Sequence, residues 1–313
     1  MAAPGQQECA IGCGYHLSGR ASPRFHDEWA SSLLSEMYRL DPLTKYFTDT
    51  LGWGSGYQAD LVFAFLKEAA ADAGRGGVVL DAGAGYQRYK PFFAESIYLA
   101  QEHPVAGELN KGIREYDILS DVRRIPLKEG CVDLVLSTSS LEHIEGPDQF
   151  FAEAYRVLGP GGALYVNVPF VYPEHEAPFD FQRPTRYGLR SYYERAGFER
   201  ISVQPSSSST DAAQFLLYAI REDSQRPRRS AATRAWMRLL RASFRFQYWF
   251  LRRTFDRGPN EGTTFPVGWI AKGYKKGERL VAPQNRSKED FLRGNAELDS
   301  RTVITDGRIR VEP

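Results

Sequence analysis

Residues 78–93 read VVLDAGAGYQRYKPFF, and the placement of Gly83 and Gly85 just past an apolar run decides how the chain is read. Val78, Val79 and Leu80 form the short, β-branched run of a strand covered on both faces of a parallel sheet. Asp81 ends the run, and glycines at alternate positions let the backbone approach a ligand where a Cβ would interfere. A dinucleotide loop, G-x-G-x-x-G, needs a third glycine at the position held by Arg88. The loop is therefore Rossmann-like, but a phosphate is not its obvious guest.

Outward from this loop, strands and helices alternate. Upstream, residues 57–71 read as a helix with Leu61, Val62, Phe65, Leu66 and Ala69 on one face, preceded by a second helical stretch at 25–37. Downstream, strands are expected at 96–101, 116–119 (an edge piece), 132–137 and 163–168, with a helix at 148–158. A helix at 187–196, a strand at 199–204 and a last strand at 265–274 complete the pattern. The rhythm predicts an α/β, doubly wound, mostly parallel Rossmann-like sheet with helices on both faces and an antiparallel last strand. Ligands of such sheets bind beyond the carboxyl ends of the strands, where strand order reverses. The expected domain covers residues 25–276 with a helical insertion at about 211–256. It is flanked by a flexible tail at 1–24 and a polar tail at 277–313, in which TVITDGRIRV (302–311) has the pattern of a hairpin.

Composition narrows the class. The 313 residues carry 42% apolar and 25% charged side chains and a net charge of +1, which permits a sizeable core and gives no global pull toward nucleic acid. Three cysteines make no disulfide framework, the amino terminus has no signal-peptide pattern, and no apolar run is long enough to span a bilayer. A soluble cytoplasmic protein is expected. Cys9 and Cys13 near His16 lack a usual zinc spacing, so no metal is expected.

Four elements together resemble the class I S-adenosylmethionine-dependent methyltransferases of the broad type 11 group. They are VLDAGAG (79–85), an acid after the second strand, DVRRIPLKEGCVDLVLSTSSLEHI (121–144) and RVLGPGGALYVNVPF (156–170). The resemblance covers roughly residues 57–198 and extends to the strand at 265–274. It implies S-adenosylmethionine as cofactor, held by Asp81, Ala82, Gly83 and Gly85 in the turn, by Glu102 at the ribose hydroxyls, by Asp121 and the Val122 amide at the adenine, and by Ser137 at the end of the fourth strand. The sequence departs from the family at Gln87, near the place where many relatives carry a third glycine.

The segment after the fifth strand contains PEHEAPFDFQRPTR (173–186) and resembles that of methyltransferases encoded with sugar- and polysaccharide-assembly enzymes. A hydroxyl acceptor needs a base, and His175 supplies the imidazole of this segment, a side-chain type suited to that role. Asp180 can orient its imidazole, while Arg183 and Arg186 can clamp an anionic acceptor. The plainer alternative is a salt-bridged network of His175, Asp180 and Arg183 that stiffens the loop. His143 is read as packing at a helix start. In the insertion, Trp236, Leu240, Phe244, Tyr248 and Leu251 share one helical face opposite an arginine-rich one. That helix can cap the site, or touch an anionic membrane through Trp236, Arg238, Arg241 and Arg245. The rival readings are a non-catalytic scaffold of the same fold and a nicotinamide oxidoreductase.

Overall fold

Alternation of side chains along the central strands decides how the sheet is covered. In the computed structural model, which describes residues 57–104, 115–213, 262–278, 287–297, 302–305, 308–311 and isolated positions between 215 and 254, β1 (Val78–Ala82) is buried along its whole length. Val79 faces one apolar cluster with Val62, Leu66 and Ala69 of α1 (Tyr57–Ala73). Val78 and Leu80 face the other, with Phe150, Phe151 and Ala154 of α2 (Pro147–Val157) and Leu189 and Tyr193 of α3 (Arg186–Ala196). Both faces of the strand are therefore dry, which is why its sequence is an uninterrupted apolar run.

Local signals set the helix limits. Gly146, in a left-handed conformation at φ 80°, and Pro147 start α2. The Thr185 hydroxyl accepts from the Gly188 N–H to cap α3, which ends at left-handed Gly197.

The remaining strands are β2 (Ile97–Glu102), β3 (Ile118–Leu119), β4 (Val132–Thr138), β5 (Leu158–Pro169), β6 (Glu199–Pro205), β7 (Gly268–Tyr274), β8 (Thr302–Thr305) and β9 (Arg308–Val311). They form one nine-stranded sheet in the order β6-β7-β5-β4-β1-β2-β3-β9-β8. The β1, β2, β3, β4 and β5 pairings are parallel, and β7 runs antiparallel between β5 and β6. Strand order reverses between β1 and β4, so the crevice expected of such a sheet opens beyond Ala82 and Thr138.

Two expectations are corrected. The strand at 116–119 is not an edge, because β9 pairs with it in parallel, Ile118 opposite Ile309. Nor is the region after 277 a polar tail. Its hairpin extends the sheet, and α4 (Lys288–Asn295), capped by Ser287, buries Phe291 and Leu292 in the main core. The polar composition of this region hides three apolar anchors, Phe291, Leu292 and Ile309, each nearly inaccessible to water. Phe291→Ala is expected to lower folding stability by about 3–5 kcal/mol, read as a reduced urea midpoint. An unchanged midpoint would return the region to the status of a tail.

The helix expected at 25–37, the tail at 1–24 with Cys9, Cys13 and His16, and most of the insertion lie outside the described residues. Among the insertion's described positions, Trp236, Phe246, Trp249 and Phe250 are helical and exposed. Trp236 therefore does not face inward as a cap requires.

Candidate active site

The β1 carboxyl end turns through Gly83 at φ +76° and Gly85 at φ +49°. The Gly83 N–H donates to the Gln101 side-chain oxygen at 3.1 Å, and the Gly85 N–H donates to Glu102 Oε2 at 2.8 Å. The Tyr116 hydroxyl donates to the Gly85 carbonyl at 2.9 Å. The turn is thus held by β2 and by the segment entering β3. The two glycines have different reasons to be glycine. A Cβ on Gly83 would lie 2.6 Å from the Ser140 Cβ, whereas a Cβ on Gly85 would meet nothing within 4 Å. Beside Gly83 the chain is packed tight; beside Gly85 it is open. Gln87, where the third glycine was missing, itself adopts φ 53°, so this position keeps the left-handed backbone despite its side chain.

Asp81 is fully buried. One carboxylate oxygen accepts from the Tyr98 hydroxyl, and the other, Oδ1, has no hydrogen-bond partner among the described residues. Burial pushes its carboxyl up to about 7, against the pull of Tyr98 and with a contribution from Glu102. Burial also pushes Glu102 above its ordinary range. The sign of the resulting pH dependence is fixed. The unfolded chain releases the Asp81 proton near pH 4, the folded chain only near 7, so stability contributed by the protonated form is lost as pH rises through that window. The ligand-free protein is expected to melt several degrees lower at about pH 8 than at about pH 5, and Asp81→Asn to flatten this slope. An identical slope in the variant would contradict the assignment.

Asp121 lies just past β3 with its carboxylate already paired. The Arg123 backbone N–H and guanidinium both donate to it, at 2.8 Å and down to 2.6 Å. Burial opposes ionisation, yet the Arg123 contacts hold the Asp121 carboxyl below its ordinary range. Val122 is partly buried against the core. Ser137 is fully buried, its hydroxyl 2.6 Å from that of Ser140, which in turn donates to the Ala82 carbonyl at 3.1 Å. Ser137 therefore braces the turn through Ser140.

Immediately after Ser140, the short 3-10 helix Leu141–His143 carries Glu142 and His143 to the loop that follows β5. The two segments are stitched together. The Phe181 N–H donates to the Glu142 carbonyl at 2.8 Å, and the Gln182 amide donates to the Leu141 and Ile144 carbonyls. His143 Nδ1 lies 2.6 Å from the Phe179 carbonyl. Within the loop, His175 Nδ1 is 3.2 Å from the Pro173 carbonyl and 3.3 Å from Asp180 Oδ2. Arg183 Nη2 also lies 3.3 Å from that nitrogen, but it faces acceptors at Pro173 O and Asp180 Oδ2 for its two hydrogens. A proton on His175 Nδ1 satisfies its two acceptor neighbours and leaves Nε2 with the lone pair. The Nε2 atoms of His175 and His143 each stand 3.8 Å from Glu142 Oε1.

The structure thus brings His175, Asp180 and Arg183 together but changes one role. Arg183 donates to both Asp180 oxygens and so is not free to clamp an acceptor. Those hydrogen bonds hold the Asp180 carboxyl down at about 2. Arg186 is turned away, donating to the Thr263 carbonyl at 2.8 Å and lying over the Trp269 ring. Sequence reasoning passed over Glu142, whose side chain is 1% exposed and whose two carboxylate oxygens have no hydrogen-bond partner among the described residues. Burial pushes Glu142 up to about 7, against the pull of His143 and Arg183. The E-H pair after β4 was its only signal. Gln182 was also missed.

The open face of Gly85 and the unpartnered Asp81 oxygen suit a ligand that carries an ammonium and no phosphate. Residues 80–166 match the family described as a methyltransferase domain. The matched stretch of this domain begins inside β1 and ends inside β5, so it contains the glycine turn, Glu102, Asp121, Ser137 and Glu142. The cofactor of such a domain is S-adenosylmethionine, and the residues of the turn fit it. Among curated proteins, the chain is 32% identical over 85 residues to a Mycolicibacterium smegmatis protein named "Probable S-adenosylmethionine-dependent methyltransferase", covering 25% of this chain and 33% of that protein. It is 41% identical over 51 residues to an uncharacterized 37.1 kDa transposon protein of Streptomyces fradiae, covering 16% and 15%. The chain therefore spans a third or less of the length of these relatives. Among solved structures, the phosphoethanolamine N-methyltransferase 2 of Haemonchus contortus with S-adenosylmethionine is 14% identical at a TM-score of 0.39, covering 77% of this chain and 61% of that one. A SAM-dependent methyltransferase of Aquifex aeolicus is 17% identical at 0.36, covering 58% and 93%.

Proposed function

We propose that this protein transfers the methyl group of S-adenosylmethionine to a hydroxyl oxygen on a sugar, a glycan precursor or a related small molecule. The observation that supports this reading is the continuity of one segment, Ser137 to His143, which touches the glycine turn at one end and the imidazole of His175 at the other. When bound, S-adenosylmethionine supplies an electrophilic methyl on a thioether leaving group. Asp81, Gly83, Gly85 and Glu102 would hold it, with Asp121 and the Val122 amide completing the cofactor side and Ser137 supporting the turn through Ser140. At the acceptor, His175 Nε2 would take the hydroxyl proton. Asp180 holds the imidazole in the tautomer that makes Nε2 the base, and Arg183 positions Asp180. Incubation with labelled S-adenosylmethionine and fractionated sugar, glycan and small-molecule extracts tests the proposal. A labelled product cleaved as an O-methyl ether supports it, and label confined to nitrogen or protein fractions overturns it.

A second reading concerns where the reaction takes place. No helix among the described residues is long and apolar enough to cross a membrane. The exposed aromatic positions Trp236, Phe246, Trp249 and Phe250 favour peripheral contact with an anionic surface, together with Arg238, Arg241 and Arg245. Co-sedimentation with anionic vesicles, absent with neutral ones, is the expected result.

A further inference from the structure

An ionised carboxylate buried with no hydrogen-bond partner is costly unless a cation faces it. Glu142 is in that position, buried with neither carboxylate oxygen hydrogen-bonded among the described residues. What it faces is two imidazoles from different segments, His143 from the β4 loop and His175 from the loop after β5, packed edge to face at 4.8 Å between ring centroids. One donor atom from each of Glu142, His143 and His175 lies within 4.8 Å of the others.

The protonation pattern of the rings matters more than their proximity. His143 Nδ1 lies 2.6 Å from a carbonyl oxygen and His175 Nδ1 sits between a carbonyl and the Asp180 carboxylate. Both Nδ1 atoms therefore carry the proton, and both Nε2 lone pairs converge on Glu142. Imidazoles that ligate metals are held in this way, with the outer N–H donating to a carbonyl or carboxylate. Glu176 adds a fourth candidate ligand at the solvent side, its carboxylate 3.7 Å from His143 Nε2 and largely exposed. We infer that Glu142, His143 and His175 form a binding site for one divalent transition cation of the zinc or ferrous class, open on the side of Glu176. Imidazole nitrogens with a single carboxylate select such ions over magnesium or calcium, which prefer an all-oxygen shell. Ligand atoms about 2.1 Å from one ion stand roughly 3.4 Å apart, so the 3.8 Å separations close by small side-chain rotations.

The site stands on this ligand geometry and does not depend on methyl transfer. If His175 serves as the base, the cation takes the same lone pair, so zinc is expected to suppress turnover and chelation to restore it.

The experiment uses the full chain, stripped with chelator and titrated with zinc and with cobalt(II). One ion per chain is expected in a variant with Cys9, Cys13 and Cys131 all replaced by serine, and cobalt is expected to show visible d–d bands with no thiolate charge-transfer band. Glu142→Gln and His143→Asn, each confirmed as folded by its thermal melt, are expected to weaken zinc at least tenfold. Absence of stoichiometric binding in the cysteine-free chain overturns the proposal, as does binding that both variants leave unchanged. Should the variants not fold, the cobalt spectrum of the cysteine-free chain decides alone. Affinity for S-adenosylmethionine, measured on the same stripped samples, tests the methyltransferase reading separately.

Discussion

A Gly85→Leu variant is expected to keep its fold and to lose at least 100-fold in affinity for S-adenosylmethionine. The left-handed backbone at φ +49° strains any L side chain by about 1–2 kcal/mol, enough to lower the melting temperature by a few degrees. Nothing among the described residues lies where the new side chain would start, so no further loss of stability is expected. The hydrogen bonds that anchor the turn, from the Gly85 N–H to Glu102 and from Tyr116 to the Gly85 carbonyl, involve main-chain atoms that the substitution leaves in place. The leucine fills only the space assigned to the cofactor. Gly83 makes the useful contrast: even alanine there collides with Ser140 and disturbs the Ser137–Ser140 pair, so Gly83→Ala mixes folding with binding. Isothermal titration paired with a thermal melt separates the two effects. A folded Gly85→Leu chain that still binds with unchanged affinity would remove the glycine turn from the site.

His175→Ala is expected to leave cofactor affinity within about twofold of the unmodified protein and to cut turnover by two orders of magnitude or more, the usual cost of a lost general base. The ring is only partly buried, and its backbone N–H still donates to Asp180 at 2.9 Å. The Asp180–Arg183 pair therefore survives the truncation, and the loop keeps its course. Added imidazole is expected to recover part of the rate. Single-turnover measurement of methyl transfer, with binding measured alongside, distinguishes this from a stiffening role. Unaltered turnover in the variant would leave His175 a structural residue.

What the sequence disclosed was mostly local. The turn after β1 could be read because two glycines past a buried run admit few conformations. Glu102 was placed by resemblance, as the acid that follows the second strand, and the Gly85 N–H donates to its carboxylate. His175, Asp180 and Arg183 share one loop, so their association was visible; what Arg183 does was not. A guanidinium reads as a clamp for substrate until the carboxylate that occupies it is seen. Glu142 was hidden for a different reason. Its burial is created by a loop from elsewhere in the sheet, and an E-H pair in isolation looks like the opening of a helix. The final hairpin shows the same division. Its own alternation and its Asp-Gly turn were plain, whereas its pairing with β3, far earlier in the chain, is a tertiary fact that no local pattern encodes.

Ser140 and Glu142 belong to one turn, with the first seated against the glycine loop and the second against the imidazoles. If a ligand at one end shifts this segment, thermodynamic linkage makes its influence on a ligand at the other end mutual and equal. Any occupant of the histidine end that altered the affinity for a nucleoside at the glycine turn would have its own affinity altered by that nucleoside in the same ratio.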